Sequence, residues 1–175
     1  MIIRRSVAAD RDSIRKVHLN AFGAPEGESV SALAIKLLDD PSAMPLISLV
    51  AEDNDEIIAN VIFTSVTIKG GGPTARVQIL APLAVVPQHQ GKGIGSKLIE
   101  AGLKLLTTQH TDIVLVLGDP QYYSRAGFTA NHNIDPPYEL DYPEAWMAQE
   151  LIKGALKRTK GLAQCAAALS SPEHW

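Results

Sequence analysis

Leu83-Ala84-Val85-Val86-Pro87-Gln88-His89-Gln90-Gly91-Lys92-Gly93-Ile94-Gly95-Ser96 runs from an apolar, β-branched stretch straight into three alternating glycines. Beyond them Ile94, Leu98, Ala101, Leu105 and Leu106 recur at helical spacing out to about Thr108, so the glycines stand at a helix entrance. Each glycine costs about 1 kcal/mol relative to alanine inside a helix, which helix packing alone does not offset. One account is a tight turn that brings helix and sheet together. The other is chemical: glycine lets successive N–H groups point into one concavity, at the helix end where those groups lack partners and the dipole is positive. A diphosphate fits such a cradle, with each charge-assisted hydrogen bond contributing about 1.5–3 kcal/mol. The spacing excludes a P-loop, which needs Gly-x-x-x-x-Gly-Lys-Ser/Thr. It also disfavours a Rossmann turn, because Ser96 takes the last glycine position and Asp112 begins the next strand instead of ending it.

Upstream, residues 75 to 86 read as a strand with Pro82 near the middle. Proline removes a ladder donor and is confined to edges or bulges, so Pro82 predicts a place where the strand parts from its neighbour and leaves backbone groups for a ligand. Asp112 to Leu117 is a short apolar strand; with the glycine-led helix it completes a βαβ unit whose strands are parallel neighbours. Towards the amino terminus lie a strand at Ile2–Val7, a helix with Ile14, Val17, Ala21 and Phe22 on one face, and, after Gly23, Pro25 and Gly27, a helix with Val30, Leu33, Ala34, Leu37 and Leu38. Leu46–Ala51 and Ile57–Ile68 flank Asp53-Asn54-Asp55 as an antiparallel hairpin, and Gly70-Gly71-Gly72-Pro73 turns the chain again. Downstream, Asp119-Pro120 opens a single helical turn and Gly127-Phe128 leads into a further strand. Trp146–Leu151 and Gly161–Leu169 fit helix or strand equally.

With 175 residues, 46% hydrophobic, 20% charged and a net charge of −3, the chain has the composition of a single globular domain over residues 1–175. No block of Lys or Arg offers an electrostatic footprint for nucleic acid or an anionic membrane. The longest apolar runs fall far short of the roughly 20 residues of a membrane-spanning helix, and the polar amino terminus lacks a secretory pattern. The single Cys165 allows no intrachain disulfide, and no Cys/His set has zinc-ligand spacing. The expectation is a soluble, cytoplasmic protein without a metal.

Gln88, Gly91 and Gly93 spell Gln/Arg-x-x-Gly-x-Gly/Ala, and Tyr123-Ser124-Arg125-Ala126-Gly127-Phe128 follows the βαβ unit. With these two segments in this order, the sequence resembles the GNAT superfamily of N-acetyltransferases along nearly its whole length. It is most similar to the YhbS-like bacterial branch, through Ala81-Pro82-Leu83-Ala84-Val85 and Leu117-Gly118-Asp119-Pro120-Gln121-Tyr122-Tyr123-Ser124-Arg125. The resemblance implies an α/β (α+β) fold of the acyl-CoA N-acyltransferase type: a mixed, mostly antiparallel central sheet with a splayed parallel strand pair and flanking helices. It implies acetyl-CoA as co-substrate, its pantetheine arm on backbone groups of Leu83, Ala84 and Val85. Its diphosphate would lie on the loop Gln88, Gln90, Gly91, Lys92, Gly93, Ile94, Gly95 and Ser96. Tyr123 matches the tyrosine that acts as general acid toward the coenzyme A sulfur, and Tyr122 is expected to pack.

Many relatives carry a glutamate on the splayed strand, whereas this chain has Val77, Gln78 and Ile79 there and no carboxylate between Glu56 and Glu100. Deprotonation of the acceptor then runs through water, through Glu26 or Glu28 in the loop joining the first two helices, or without a dedicated base. The five histidines show no shared spacing, and Cys165 reads as a small buried hydrophobe. The functional expectation is transfer of acetyl to a primary amine of a small molecule or protein; a coenzyme A sensor without catalysis is the alternative. The acceptor is not legible, and a homodimer is left open.

Overall fold

The computed structural model describes residues 1–70 and 72–175, so Gly71, inside the expected glycine turn, lies outside the described residues. One mixed sheet runs in the order β1-β2-β3-β4-β5-β7. Its members are β1 (Ile2–Arg5), β2 (Ile47–Asp53), β3 (Glu56–Lys69), β4 (Val77–Val85), β5 (Ile113–Leu117) and β7 (Trp146–Glu150). Only β4 and β5 are parallel; every other pair along this path is antiparallel. The short β6 (Asn133–Asp135) and β8 (Lys160–Gln164) form a parallel pair joined to the far end of β3. This is the α/β architecture expected above.

Helices cover both faces, as parallel pairing requires. On one face α3 (Ile94–Thr108) buries Leu98, Ile99 and Leu106 against Leu49, Val61, Phe63, Leu80, Val114 and Val116. On the other, α1 (Arg11–Phe22) and α2 (Glu26–Asp39) set Ile14 and Ala34 on Val50 and Ile62, and Leu33 and Leu37 beside Ile79, Ile113 and Leu115. Burying a side chain of this size contributes about 1.5–3 kcal/mol. α1 and α2 cross closely because Gly27 has no side chain: a Cβ there would stand 2.5 Å from the Leu19 carbonyl oxygen.

Pro82 behaves as its chemistry demands. Val61 pairs with Leu83 and Phe63 with Leu80, so Ile62 alone opposes Ala81 and Pro82 in a β-bulge. On the opposite side of β4, pairing with β5 stops at Leu80–Val116, and residues 81–85 have no partner there.

In the carboxy-terminal third one open alternative resolves and one expectation fails. Trp146–Glu150 is strand because it closes on β5, Leu117 opposite Trp146 and Ile113 opposite Glu150. The strand expected to continue directly from Gly127-Phe128 does not form among the described residues, the next one being the short β6 at Asn133–Asp135. Thr129 makes one isolated bridge to Ala148, after which Thr129 Oγ1 accepts the Asn131 N–H at 3.1 Å and turns the chain away. The loop between α1 and α2 is also shorter than expected, since α2 starts at Glu26 and carries both Glu26 and Glu28 in its first turn.

A buried polar cluster joins α1 to the sheet. His18 is fully buried and its Nε2 lies 2.8 Å from Asn60 Oδ1, while Asn60 Nδ2 donates to Ser48 Oγ at 3.1 Å and to the Leu49 carbonyl at 2.9 Å. Burial disfavours the imidazolium and brings the His18 pKa down to about 4. The unfolded chain therefore binds a proton that the folded chain refuses, and stability present above pH ~6.5 is lost as pH falls towards 4. Urea unfolding at pH 5 is expected to give about 2 kcal/mol less stability than at pH 8. A His18→Gln protein should be less stable at pH 8 and nearly flat between the two pH values.

Candidate active site

The glycine loop is built as a cradle. Gly91 and Gly93 have φ of 72° and 76°, in the left-handed region that side-chain-bearing residues avoid, and a Cβ at either would meet nothing within 4 Å. The first helical bond of α3 is Lys97 N–H to the Gly93 carbonyl at 3.1 Å, so among the described residues the N–H groups of Gly91 to Ser96 take no main-chain acceptor. The open space and the free donors meet at the positive end of a fifteen-residue helix. Gly95 has a different reason: a Cβ there would collide with the Tyr122 hydroxyl, which packs over the entrance of α3. Lys92 is exposed on the loop.

The unpaired length of β4 supplies the second element. Val86 N–H donates to the Ile58 carbonyl at 3.0 Å, which places the Val86–Ile58 pair among the hydrogen-bonded positions of the antiparallel ladder. By alternation Ala84 also turns its main-chain groups to β3, and those of Leu83 and Val85 face the gap beside β5. Of the three backbone positions expected to pair with a ligand, Ala84 is thus committed to Asn60 of β3. The Val85 carbonyl already accepts Gln90 Nε2 at 2.9 Å, which ties the loop back to the open edge.

A cavity of about 610 Å³ occupies the gap. Leu80 to Leu83, Val85 and Gln90 form one side, Leu117, Gly118, Asp119, Tyr122 and Tyr123 another, and Phe22, Glu26, Val30 and Leu33 from α1 and α2 a third. The loop contributes Gln90 to the cavity wall, and Gly91 to Ser96 do not line it. Gln88 does not face it; with His89 it lines a separate hollow beside Ser13, Lys16 and Asn20 of α1. Gln78 is likewise elsewhere, in a pocket with Pro45, Arg76 and Thr111.

Tyr123 sits at the end of α4 (Pro120–Tyr123), where Asp119 caps the turn by accepting the Gln121 N–H at 2.9 Å. Its ring packs edge-on against Tyr122 and Phe128, with centroids 5.0 and 5.8 Å away. It fits only because position 118 is glycine, where a Cβ would strike the Tyr123 ring. Burial, and to a lesser degree the neighbouring Tyr122, raise the phenol well above its ordinary pKa, so it stays protonated through the neutral range. Among the described residues no group accepts its hydroxyl, which is left free to donate into the cavity.

Of the two glutamates that the sequence offered for deprotonating the acceptor, one reaches the cavity, and a carboxylate and an imidazole from the tail join it without any signal in the sequence. Glu26 faces it from α2, whereas Glu28 points to Arg15 at 3.7 Å and does not reach it. Glu173 and His174 come from the tail, far from every motif. No group of three or more His, Cys, Asp or Glu is placed to hold a metal ion among the described residues, and no helix among them is long and apolar enough to cross a membrane.

A splayed strand, a glycine cradle at a helix entrance and a phenol between them define an acyl-CoA-dependent N-acyltransferase. The family model for the acetyltransferase (GNAT) domain matches residues 46–130. The uncharacterized N-acetyltransferase YjhQ of Escherichia coli K12 is 35% identical over 164 residues, covering 90% of this chain and 88% of YjhQ. YhbS of the same strain, also an uncharacterized N-acetyltransferase, is 29% identical over 94% of this chain and 95% of its own. The structure of E. coli YhbS in complex with CoA superposes with a TM-score of 0.87 at 27% identity, over 98% of this chain and 92% of that one. A GNAT acetyltransferase from Brucella melitensis in complex with acetyl-CoA gives 0.76, also at 27%, over 96% and 97%. The chain belongs to the GNAT family. It is an acetyl-CoA-dependent N-acetyltransferase, with acetyl-CoA as co-substrate.

Gly118→Ala should push the Tyr123 ring out of its seat. Near-ultraviolet circular dichroism is expected to change in the tyrosine band, and acetyl transfer to fall by about 10-fold or more, with the far-ultraviolet spectrum intact. A fully active variant would show that the seat of Tyr123 does not matter.

Proposed function

We propose that residues 1–175 act as one domain that moves the acetyl group of acetyl-CoA directly onto a primary amine. The observation that carries this reading is the single cavity bounded by the unpaired edge of β4, the end of β5 and Tyr123. In it the pantetheine amides bond the free main-chain groups of Leu83 and the N–H of Val85, continuing the sheet by one non-protein strand. The diphosphate lies on the N–H groups of Gly91, Lys92, Gly93, Ile94, Gly95 and Ser96. Gln90 anchors the loop to Val85. Lys92 adds a cation within reach of the phosphates.

The acetyl group then lies towards Tyr123 and the acceptor enters between α1, α2 and the tail. A phenol less acidic than a thiol surrenders its proton reluctantly, so Tyr123 acts first as a hydrogen-bond donor that stabilises negative charge on the departing sulfur. The proton crosses once the C–S bond has broken. Apolar walls from Phe22, Val30, Leu33 and Leu169 keep water from the thioester and accommodate the carbon skeleton of an amine. No Lys or Arg lines the cavity among the described residues, which suits an acceptor that arrives as a cation.

Tyr123→Phe keeps the ring and removes the donor. Turnover, read as free-thiol release with a pool of amines, is expected to fall about 100-fold. The Kd for acetyl-CoA, from calorimetry, should change by less than about 3-fold; parallel losses in both would refute the role. Gly93→Val should abolish cofactor binding by calorimetry with the circular dichroism spectrum unchanged, because a β-branched residue cannot adopt φ of 76° without strain.

A further inference from the structure

The open strand brings no side-chain proton acceptor to the cavity: the residues it contributes are Ile79, Leu80, Ala81, Pro82, Leu83 and Val85. The facing wall is the carboxy-terminal tail, and that tail is pinned. Ala167 N–H donates to Ser42 Oγ and Ala168 N–H to Asp40 Oδ2, both at 2.8 Å. The Trp175 indole donates to the Leu169 carbonyl at 2.8 Å and stacks edge-on against Trp146, 5.4 Å between centroids. Between these anchors the turn Pro172–His174 holds the His174 ring at the cavity, with 11% of its side chain exposed.

His174 differs from the other four histidines. His18 is locked onto Asn60, and His132 contacts the Trp146 carbonyl through Nε2 and the Ile134 N–H through Nδ1. His89 and His110 lie off the cavity. The His174 imidazole has no hydrogen bond to a protein group among the described residues; its nearest ion-pair contact is Glu173 Oε1, 3.7 Å from Nε2. The carboxylates that share the cavity are less apt: Asp119 is engaged as a helix cap, Glu26 is exposed, and the Glu173 side chain is 70% exposed. Imidazole is the side chain suited to accept a proton near neutral pH.

We infer that His174 is the general base of the transfer, an assignment that rests on the cavity being the acetyl-transfer site. His174 takes one proton from the acceptor ammonium and frees the nitrogen lone pair. The C–N bond forms at the thioester carbonyl, and the C–S bond breaks as the sulfur takes the electron pair. Tyr123 protonates the sulfur, and the second proton shed by nitrogen restores the phenol through water. One proton leaves through His174 to solvent, so ammonium and acetyl-CoA give amide, thiol and one released proton.

The titratable groups that share the cavity with His174 are Glu173 on its own turn, Glu26 from α2, Asp119 at the cap of α4, and Tyr122 and Tyr123 at its end; no Lys or Arg joins them among the described residues. The test uses n-butylamine, 2-methoxyethylamine and 2,2,2-trifluoroethylamine, a series of falling basicity, with thiol release followed from pH 5.5 to 9. His174→Gln should lower kcat/KM for n-butylamine about 100-fold at pH 7 and remove the acid limb of the profile. The deficit should shrink along the series, because a weakly basic amine arrives already neutral, while acetyl-CoA affinity and thermal midpoint hold. Equal rates in both proteins, a deficit equal for all three amines, or a larger loss in Glu26→Gln would overturn the assignment. If the unaltered protein acetylates none of the three, the reading of the cavity as an amine-acetylating site fails first, and His174 fails with it.

Discussion

The site depends on an unfinished hydrogen-bond ladder. β4 pairs with β5 only as far as Leu80 and Val116, yet continues for five more residues with its other side still bonded to β3. Buried main-chain groups cannot be left without partners, so the open edge requires water or a ligand. The bulge at Ala81 and Pro82 sits where the separation begins, and proline has no N–H to offer a neighbour. Every other part of the site is positioned by that opening: α3 starts at its far end, α4 begins where β5 stops, and α1 and α2 roof it from the opposite face.

The cradle and the cavity divide the electrostatic work. In the proposed site, the unpaired N–H groups at the entrance of α3 are the groups that would hold negative charge, with no cluster of lysines beside them in the sequence. At the other end the lining charges are all carboxylates, Glu26, Asp119 and Glu173, beside His174. On the proposed reading, an anionic cofactor headgroup is favoured at one end and a cationic acceptor at the other, with their reacting atoms meeting near Tyr123.

Much of this was written in the chain. Strong periodicity identified α1, α2, α3 and the hairpin; Pro82 marked the strand that parts, and the glycine triplet marked the cradle. Three features were not legible, each for a physical reason. Trp146–Glu150 and Lys160–Gln164 are too short to declare a period, and they are strands because β5 and β3 present edges to them. Gly27 looked like a helix breaker but is buried inside α2, where its missing side chain lets α1 approach. His174 carries no motif spacing; the available hint was Trp175 beside it, an aromatic anchor with no other partner apparent in sequence. Gln88, by contrast, matched the family pattern and lines a separate hollow beside α1 instead of the cavity.

A crystal structure of this protein grown with acetyl-CoA tests the central claim most directly. The account predicts the pantetheine lying antiparallel or parallel along residues 83–85, bonded to Leu83, with the phosphates over the N–H groups from Gly91 to Ser96. Phosphates bound at another surface, or β4 and β5 hydrogen-bonded to one another through residue 85, would contradict it.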